Sequence, residues 1–593
     1  MKAILLAWFA LGAVASPAAG AAPTLSFDEV QPGMKGTGRT VFGGVEIGEF
    51  DVEILGKLAN IGPRQDLILA RCSGGPLGDT GVLAGMSGSP IYVDGKLIGA
   101  LAYSWGFSKE AIAGITPIAE MLGVAELEER PRARAAGGIT LEDVRRIQTP
   151  AEIPQFMSDR ITALAPRTVA GQPFRLPVSV AGIGSEGLAR MTPDLLAAGF
   201  LPVQGGGAGA SGGPRPTIEP GAAVGLKLAR GDIDISATGT VTWVDGNRVL
   251  AFGHPLFGLG EVDLPLTAAR VEALLPSFNQ SARIASPLEE VGALRQDRAS
   301  AVYGKLGATA RMIPIRMQLG GGSREPQTFS FEVADDALLA PLLLYSSLNG
   351  ILANAERVFG NVTVSLEAGS VIKLEGREDV ELQNLFAGST APYYATGTSA
   401  FILYLLMNND WSPPRIAGVN LILDYDPQPR TAHIRRVTLD RYQVRAGETV
   451  EAMVVLTPYR GPDLILNREI VVPPETTAGR LTLRVGSALA VSRAEGGGAA
   501  AVFPKDLDQL IWLINNLRRN DRVYIVASRD DTGVFLDGAR LPNLPPSVTS
   551  ILGRPRSVGN FAVARERGIL EEEIRTDFEV EGLTTIQLEV ESP

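Results

Sequence analysis

Glycine and proline interrupt this chain too often for it to be built on long helices. Its 68 glycines and 40 prolines, among 593 residues, amount to about 18% against the roughly 12% of average usage. That density favours short strands closed by turns and bulges. The length is about four times the roughly 150 residues of a common domain, so three or four domains are expected. With 45% hydrophobic and 20% charged residues, the chain can bury cores and is not a disordered one. A net charge of -11 has the wrong sign for a protein that tracks nucleic-acid phosphates, so nucleic acid is not an expected partner.

Met1-Lys2 and the apolar run Ala3 to Val14, followed by small residues through Ala22, read as a secretory signal peptide over 1–21. The expected location is therefore periplasmic or extracellular. Neither Ala400 to Met407 nor Leu338 to Tyr345 reaches the roughly 20 residues of a membrane span. Composition divides the remainder into a β-rich stretch 22–126, a linker and connecting α/β segment 127–217 that includes the glycine tract Gln204 to Gly213, and a second β-rich stretch 218–330. An α+β segment 331–430, a β-sandwich-like domain 431–495 and an α+β tail 496–593 follow. Helical periodicity is expected at Ala337 to Ala355, Thr396 to Asn409 and Asp506 to Asn520.

The strongest chemical signal is Gly85-Met86-Ser87-Gly88-Ser89-Pro90, followed by strand-like PIYV, a turn at Asp94-Gly95 and strand-like KLIGALAY. A serine nucleophile needs a tight glycine-bracketed turn, so that the hydroxyl projects while backbone N–H groups aim at the developing oxyanion. Gly85 and Ser87 are the natural N–H donors, two residues apart as in the serine-protease template. The α/β-hydrolase elbow G-x-S-x-G is not met, because residue 89 is serine.

Histidine is scarce, and scarcity narrows the search for a base. The chain holds two histidines and one cysteine, too few for a Cys/His zinc cluster or an internal disulfide. His433 lies in the plain setting TAHIRR. His254 lies in AFGHPLF, after the strand-like TGTVTWV and a turn at Asp245-Gly246, and is the candidate base.

These residues resemble the SpoIVB-type sporulation serine peptidases, a family with a trypsin-like GxSG core. FDVEIL with Thr80-Gly81 and GMSGSPIYVDGKLIGAL is similar to the family's nucleophile half; GTVTWVDGNRVLAFGHPLF is similar to its histidine half, and VGALRQDRASAVYG extends the likeness. The resemblance implies a mainly β fold with α+β additions, whose core is a double β-barrel acting on protein or peptide substrates without cofactor or metal. In the family the histidine half comes first, whereas here Ser87 precedes His254, which implies circularly permuted halves. The family's acidic residue lies upstream of the nucleophile, where this chain has Ser73.

Asp297, 43 residues after His254, has a spacing like that of histidine and aspartate in the serine-protease template and is the tentative acid. Asp79 and Asp263 are alternatives, and a Ser-His dyad would suffice without any of them. The unmatched acid also leaves a second expectation open, a non-catalytic envelope scaffold that binds peptides or protein partners. Three further features carry less. Gly182-Ile183-Gly184-Ser185-Glu186-Gly187 fits G-x-G-x-x-G but lacks the acidic residue some 20 positions on that a dinucleotide site needs. Cys72 in an apolar strand is expected to be inert, and Asp530-Asp531-Thr532-Gly533 is expected to be a β-turn.

Overall fold

The structure is a computed structural model that describes residues 22–127, 152–163, 172–173, 176–205, 216–321, 325–355, 360–409, 411–495, 504–536, 539–542 and 561–592. The signal peptide expected over 1–21, most of the charged linker and most of the glycine tract lie outside these residues.

Alternation builds the first unit. In FDVEIL, Phe50, Val52 and Ile54 are buried while Asp51 and Leu55 face out, the period of two that gives a strand one core face. Six such strands, β1 (Lys35–Gly43), β2 (Glu46–Gly62), β3 (Gln65–Ser73), β4 (Pro90–Val93), β5 (Lys96–Ser104) and β6 (Ile112–Pro117), pair antiparallel in the order β4-β1-β2-β3-β6-β5. The β4–β5 pairing then closes a barrel. The β4–β5 hairpin turns at Asp94 and Gly95, both with positive φ (49° and 73°), as a two-residue hairpin turn requires. Closure leaves no unpaired edge inside the ring, and Val52, Ile68, Met86, Ile91, Leu101 and Ile115 fill its core.

Short β7 (Gln172–Pro173) adds to β5. Then β8 (Leu176–Ala181) and β9 (Phe200–Gln204) run parallel around the helix Ser185–Ala197. A second ring follows, from β10 (Ala223–Gly231), β11 (Asp234–Asp245), β12 (Arg248–Ala251), β13 (Gly260–Leu275), β14 (Ala282–Arg298) and β15 (Ala301–Leu306). Its antiparallel pairings run β10-β13-β14-β15-β12-β11 and return to β10. Each ring is complete within one continuous stretch of chain, 35–117 and 223–306.

The 331–430 segment is not separate from this second ring. Strand β10 continues through β17 (Gln327–Ala334) and β16 (Met312–Gly320) into Ile416–Asp426, so one sheet joins them. A single core runs from Leu226 and Leu264 through Leu348 and Leu403 to Val419. The helix Leu339–Ala355 falls where periodicity places it; Ala391–Met407 begins five residues before the expected Thr396, and Leu507–Asn515, capped by Asp506 accepting from the Gln509 N–H, ends five residues before the expected Asn520. Among the described residues no helix is long and apolar enough to cross a membrane.

The sandwich is larger than 431–495. Thr431–Leu439, Thr449–Pro458 and Leu464–Val471 form one sheet with Glu579–Glu581 from the tail. The facing sheet takes Gly479–Gly486 together with Arg522–Leu536, Phe561–Arg575 and Leu583–Glu591, and one core including Val454, Leu483, Ile525 and Leu588 lies between them. The tail thus completes the sandwich, because an exposed apolar face on the first strands needs a second layer. Asp530 to Gly533 lie within a long strand at a register shift rather than in a connecting β-turn.

The half-buried Glu579 ties the sandwich to the larger sheet: its carboxylate accepts from the Ala387 N–H at 2.6 Å, and its own N–H donates to Arg430 O at 2.8 Å. Burial, with the neighbouring Glu581 charge, pushes its carboxyl from 4.5 up to about 7. A carboxyl held above its unfolded value contributes stability that is fully present below about 4.5 and is lost as pH rises through about 7. The wild type is therefore expected to lose melting temperature between pH 5 and 8 relative to Glu579→Gln; parallel thermal-melt profiles for the two would refute this linkage.

Candidate active site

The serine turn is built by glycine. Between the short helix Leu77–Thr80 and β4, Gly85 and Gly88 both adopt φ 95°, a region that side-chain-bearing residues rarely enter. Met86 points into the first barrel's core and is fully buried. The backbone is then tied to β5 by Gly88 N–H to Leu101 O (2.7 Å) and Leu101 N–H to Ser89 O (3.0 Å). The Ser89 hydroxyl closes the turn by donating to Met86 O at 2.7 Å.

The second barrel grips this turn from outside. Thr240 N–H donates to Ser87 O (2.9 Å), the Thr240 hydroxyl to Gly85 O (3.1 Å) and the Thr242 hydroxyl to Gly88 O (2.7 Å). Strand periodicity in T-G-T-V-T puts Thr238, Thr240 and Thr242 on one face of β11, and all three are buried. The closeness is steric as well: a Cβ on Gly88 would stand 2.0 Å from Thr240 O and 2.5 Å from Phe252 N.

The histidine loop is held in the converse way. Phe252 has φ 71° and sits inside a three-residue turn closed by Gly253 N–H to Ala251 O at 2.9 Å; for an aromatic residue this is a rare, strained conformation. Thr116 of β6, in the first barrel, donates to Gly253 O at 2.7 Å. A Cβ on Gly253 would meet those of Ala100 and Ala102 at 3.2 Å, on the stretch of β5 that also holds Gly88. The two loops, separated by more than 160 residues of chain, therefore lie against each other and against one strand.

His254 is 1% exposed and Ser87 is 0% exposed, and neither Ser87 Oγ nor His254 Nε2 has a hydrogen-bond partner, so the two do not bond to each other. His254 Nδ1 lies 2.7 Å from Pro255 O. A carbonyl only accepts, so Nδ1 carries the proton and Nε2 presents its lone pair. Burial lowers the imidazole from 6.5 to about 4, with the Pro255 hydrogen bond acting the other way, so it is neutral at physiological pH.

Asp297 comes to this loop through its backbone. The fully buried carboxylate accepts from the N–H groups of Leu256 (2.7 Å), Phe257 (2.8 Å), Gly258 (2.8 Å) and Leu259 (3.2 Å), while the hydrogen bond of His254 Nδ1 goes to Pro255. Burial raises the Asp297 carboxyl and the four N–H groups oppose that rise. Of the alternative acids, Asp79 lies in the short helix before the serine turn. Asp263 pairs with Arg295 and accepts from Arg311 N–H at 3.1 Å. Cys72 is buried in the first barrel, its thiol pushed up to about 12 by desolvation. The glycines of GIGSEG are consumed by packing: Cβ atoms there would meet Asp232 O at 1.7 Å, the Asn354 side chain at 2.1 Å and Gly350 O at 2.5 Å.

Sequence reasoning passed over the three threonines that clamp the loops, although the alternation in TGTVTWV marked two of them. It also passed over Arg283, a fully buried guanidinium that bonds Gly85 O.

Two glycines with similar φ separate backbone strain from contact. Gly88→Ala combines the strain of positive φ with a backbone clash and is expected to destabilise by about 2–5 kcal/mol. Gly95→Ala, at φ 73° with nothing within 4 Å of its Cβ, should lose only about 1–2 kcal/mol. Urea melts giving equal losses would refute the described packing of the serine turn on the second barrel. No protein-family model, no curated protein and no solved structure matches this chain.

Proposed function

We propose that the chain is an exported serine endopeptidase of a double-barrel, trypsin-like type with its halves in reversed order, using Ser87 as nucleophile and His254 as base. One observation carries the reading. Two turns from separate barrels pack on the same strand, and each presents a buried catalytic-type atom, Ser87 Oγ and His254 Nε2, that has no structural partner. A buried polar atom without a partner costs about 1–3 kcal/mol, and such an expense is concentrated where function requires it.

In the reaction His254 Nε2 takes the Ser87 proton as Oγ attacks the scissile carbonyl, and returns it to the leaving amine. The Gly85 and Ser87 N–H groups, which donate no described hydrogen bond, receive the oxyanion. Pro255 O orients the imidazole, and Asp297 holds the backbone that carries it. Because both reacting atoms are shielded from solvent, the described state is a resting one, and the turns must part for a peptide to enter.

A second reading is favoured by that same shielding together with the lack of a carboxylate hydrogen-bonded to His254: a non-catalytic envelope scaffold that keeps the barrels for binding peptides or partner proteins.

A fluorophosphonate probe distinguishes the readings. Under the peptidase reading it labels Ser87, identified by peptide mass, and Ser87→Ala and His254→Ala abolish labelling. The labelling rate should hold from pH 8 down to about 5 and fall only near 4, since the lowered histidine stays neutral and basic until then. A folded wild type that never labels, with both alanine variants retaining the biological phenotype, would establish the scaffold instead.

A further inference from the structure

Arg283 opens β14 in the second barrel and is 1% exposed. Its Nη1 donates to Thr40 Oγ1 (3.0 Å) and Val41 O (2.8 Å) on β1 of the first barrel. Its Nη2 donates to Gly85 O, to Thr240 Oγ1 (2.9 Å) and to Gly239 O (3.4 Å). All of these acceptors are neutral carbonyls and hydroxyls; no carboxylate is among them. Desolvation lowers the group from 12.5 to about 9, which still leaves it charged at neutral pH. An apolar side chain in such a place is often no less stable than a buried charge, so packing alone does not account for an arginine here.

What the arginine touches does account for it. Ala282, beside it, forms a parallel bridge with Ala84, the residue before the serine turn: Arg283 N–H donates to Ala84 O (3.0 Å) and Ala84 N–H to Ser281 O (2.7 Å). A trans peptide sends its N–H opposite to its C=O, so binding Ala84 O turns the Gly85 N–H away from β14. The guanidinium then takes Gly85 O, the carbonyl of the next peptide, while Met86 N–H donates to Leu83 O at 3.1 Å. Gly85 lacks a Cβ and can rotate either flanking peptide at little steric cost. A rotated plane would aim a carbonyl where an oxyanion must bind. With both carbonyls captured, Gly85 O by the guanidinium together with the Thr240 hydroxyl (3.1 Å), that rotation is blocked.

We propose that Arg283 is a positioning residue that fixes the two peptide planes flanking Gly85, one through its main-chain N–H and the other through its guanidinium, so that the Gly85 N–H stands ready as an oxyanion donor; the neighbouring peptide that carries the Ser87 N–H is held at Met86 O by Ser89. The proposal rests on the peptidase reading of Ser87 and His254. It adds a dependence of that site on a cation supplied by the opposite barrel.

The test uses the full chain and two readouts: the rate of fluorophosphonate labelling at Ser87, and amide hydrogen exchange across Ala84 to Ser89. In Arg283→Ala the labelling rate should fall by about 10²-fold, the range for loss of an oxyanion donor, and exchange of the Met86 N–H, which bonds Leu83 O in the same peptide plane as Gly85 O, should rise by about tenfold or more. Guanidinium chloride below its denaturing range should restore part of the labelling rate, and sodium chloride at equal ionic strength should not. A folded Arg283→Ala with unchanged labelling or unchanged exchange overturns the proposal, as does a rate recovered equally by either salt. Should the alanine variant not fold, Arg283→Lys, a point charge without the planar fork, is expected to raise exchange at the Met86 N–H; wild-type exchange there overturns the proposal too. A wild type that never labels removes the peptidase reading separately, and the exchange comparison still decides whether Arg283 holds the turn.

Discussion

The candidate site depends on a crossed set of hydrogen bonds at the junction of two barrels. Thr240 and Thr242 of the second barrel satisfy carbonyls of the serine turn, and Thr116 of the first satisfies a carbonyl of the histidine loop. A buried carbonyl left without a donor costs about 1–3 kcal/mol, so neither loop keeps its shape unless the other barrel is in place. Apolar contacts secure the approach: Leu97 and Ala100 pack with Trp243, Leu250 and Tyr303 on one side, and Val41 packs with Ala223, Val271 and Ala285 on another. The site is thus a property of the pair of barrels, and neither alone contains it.

Charge is handled at this junction by dipoles. Three ionisable side chains are buried within it, and the described hydrogen bonds pair none with an opposite charge. His254 is kept neutral by burial, Asp297 is solvated by four N–H groups of the loop it braces, and Arg283 by carbonyls and hydroxyls from both barrels. Under the peptidase reading, placing full charges against fixed dipoles leaves the site without an internal ion pair to break when the turns part. It also makes acid the adverse direction for His254. Its contribution to stability is present above the unfolded value of 6.5 and is lost as pH falls through about 4.

Much of this was written locally in the sequence. The GMSGSP turn, the Asp94-Gly95 hairpin, the alternation of FDVEIL and the helices near 337–355 and 396–409 are short-range patterns, and they appear where their periods place them. The misses are non-local. Nothing in the local sequence around Arg283 says that it will meet Thr40, 243 residues earlier. The spacing of Asp297 marked its closeness to the histidine loop but not its target, because spacing cannot distinguish an imidazole N–H from four backbone N–H groups. The sandwich boundary was misplaced for the same reason: Glu579–Glu581 pairs with Thr431–Leu439 across nearly 150 residues.

Chain order is the remaining constraint, and the topology loosens it. Each ring closes through antiparallel pairings within its own stretch of chain, so no strand of one ring is required to finish the other. What binds them is the surfaces they share, where the helix Ile118–Ala125 packs Met121 with Leu250 and Tyr303. An arrangement of this kind can present a serine turn first and a histidine loop second, or the reverse, with the same junction, since the clamps run between surfaces and not along the backbone. Under the peptidase reading, the feature that cannot be exchanged is the face of β11: its alternate threonines must meet the glycine turn whichever half the chain makes first.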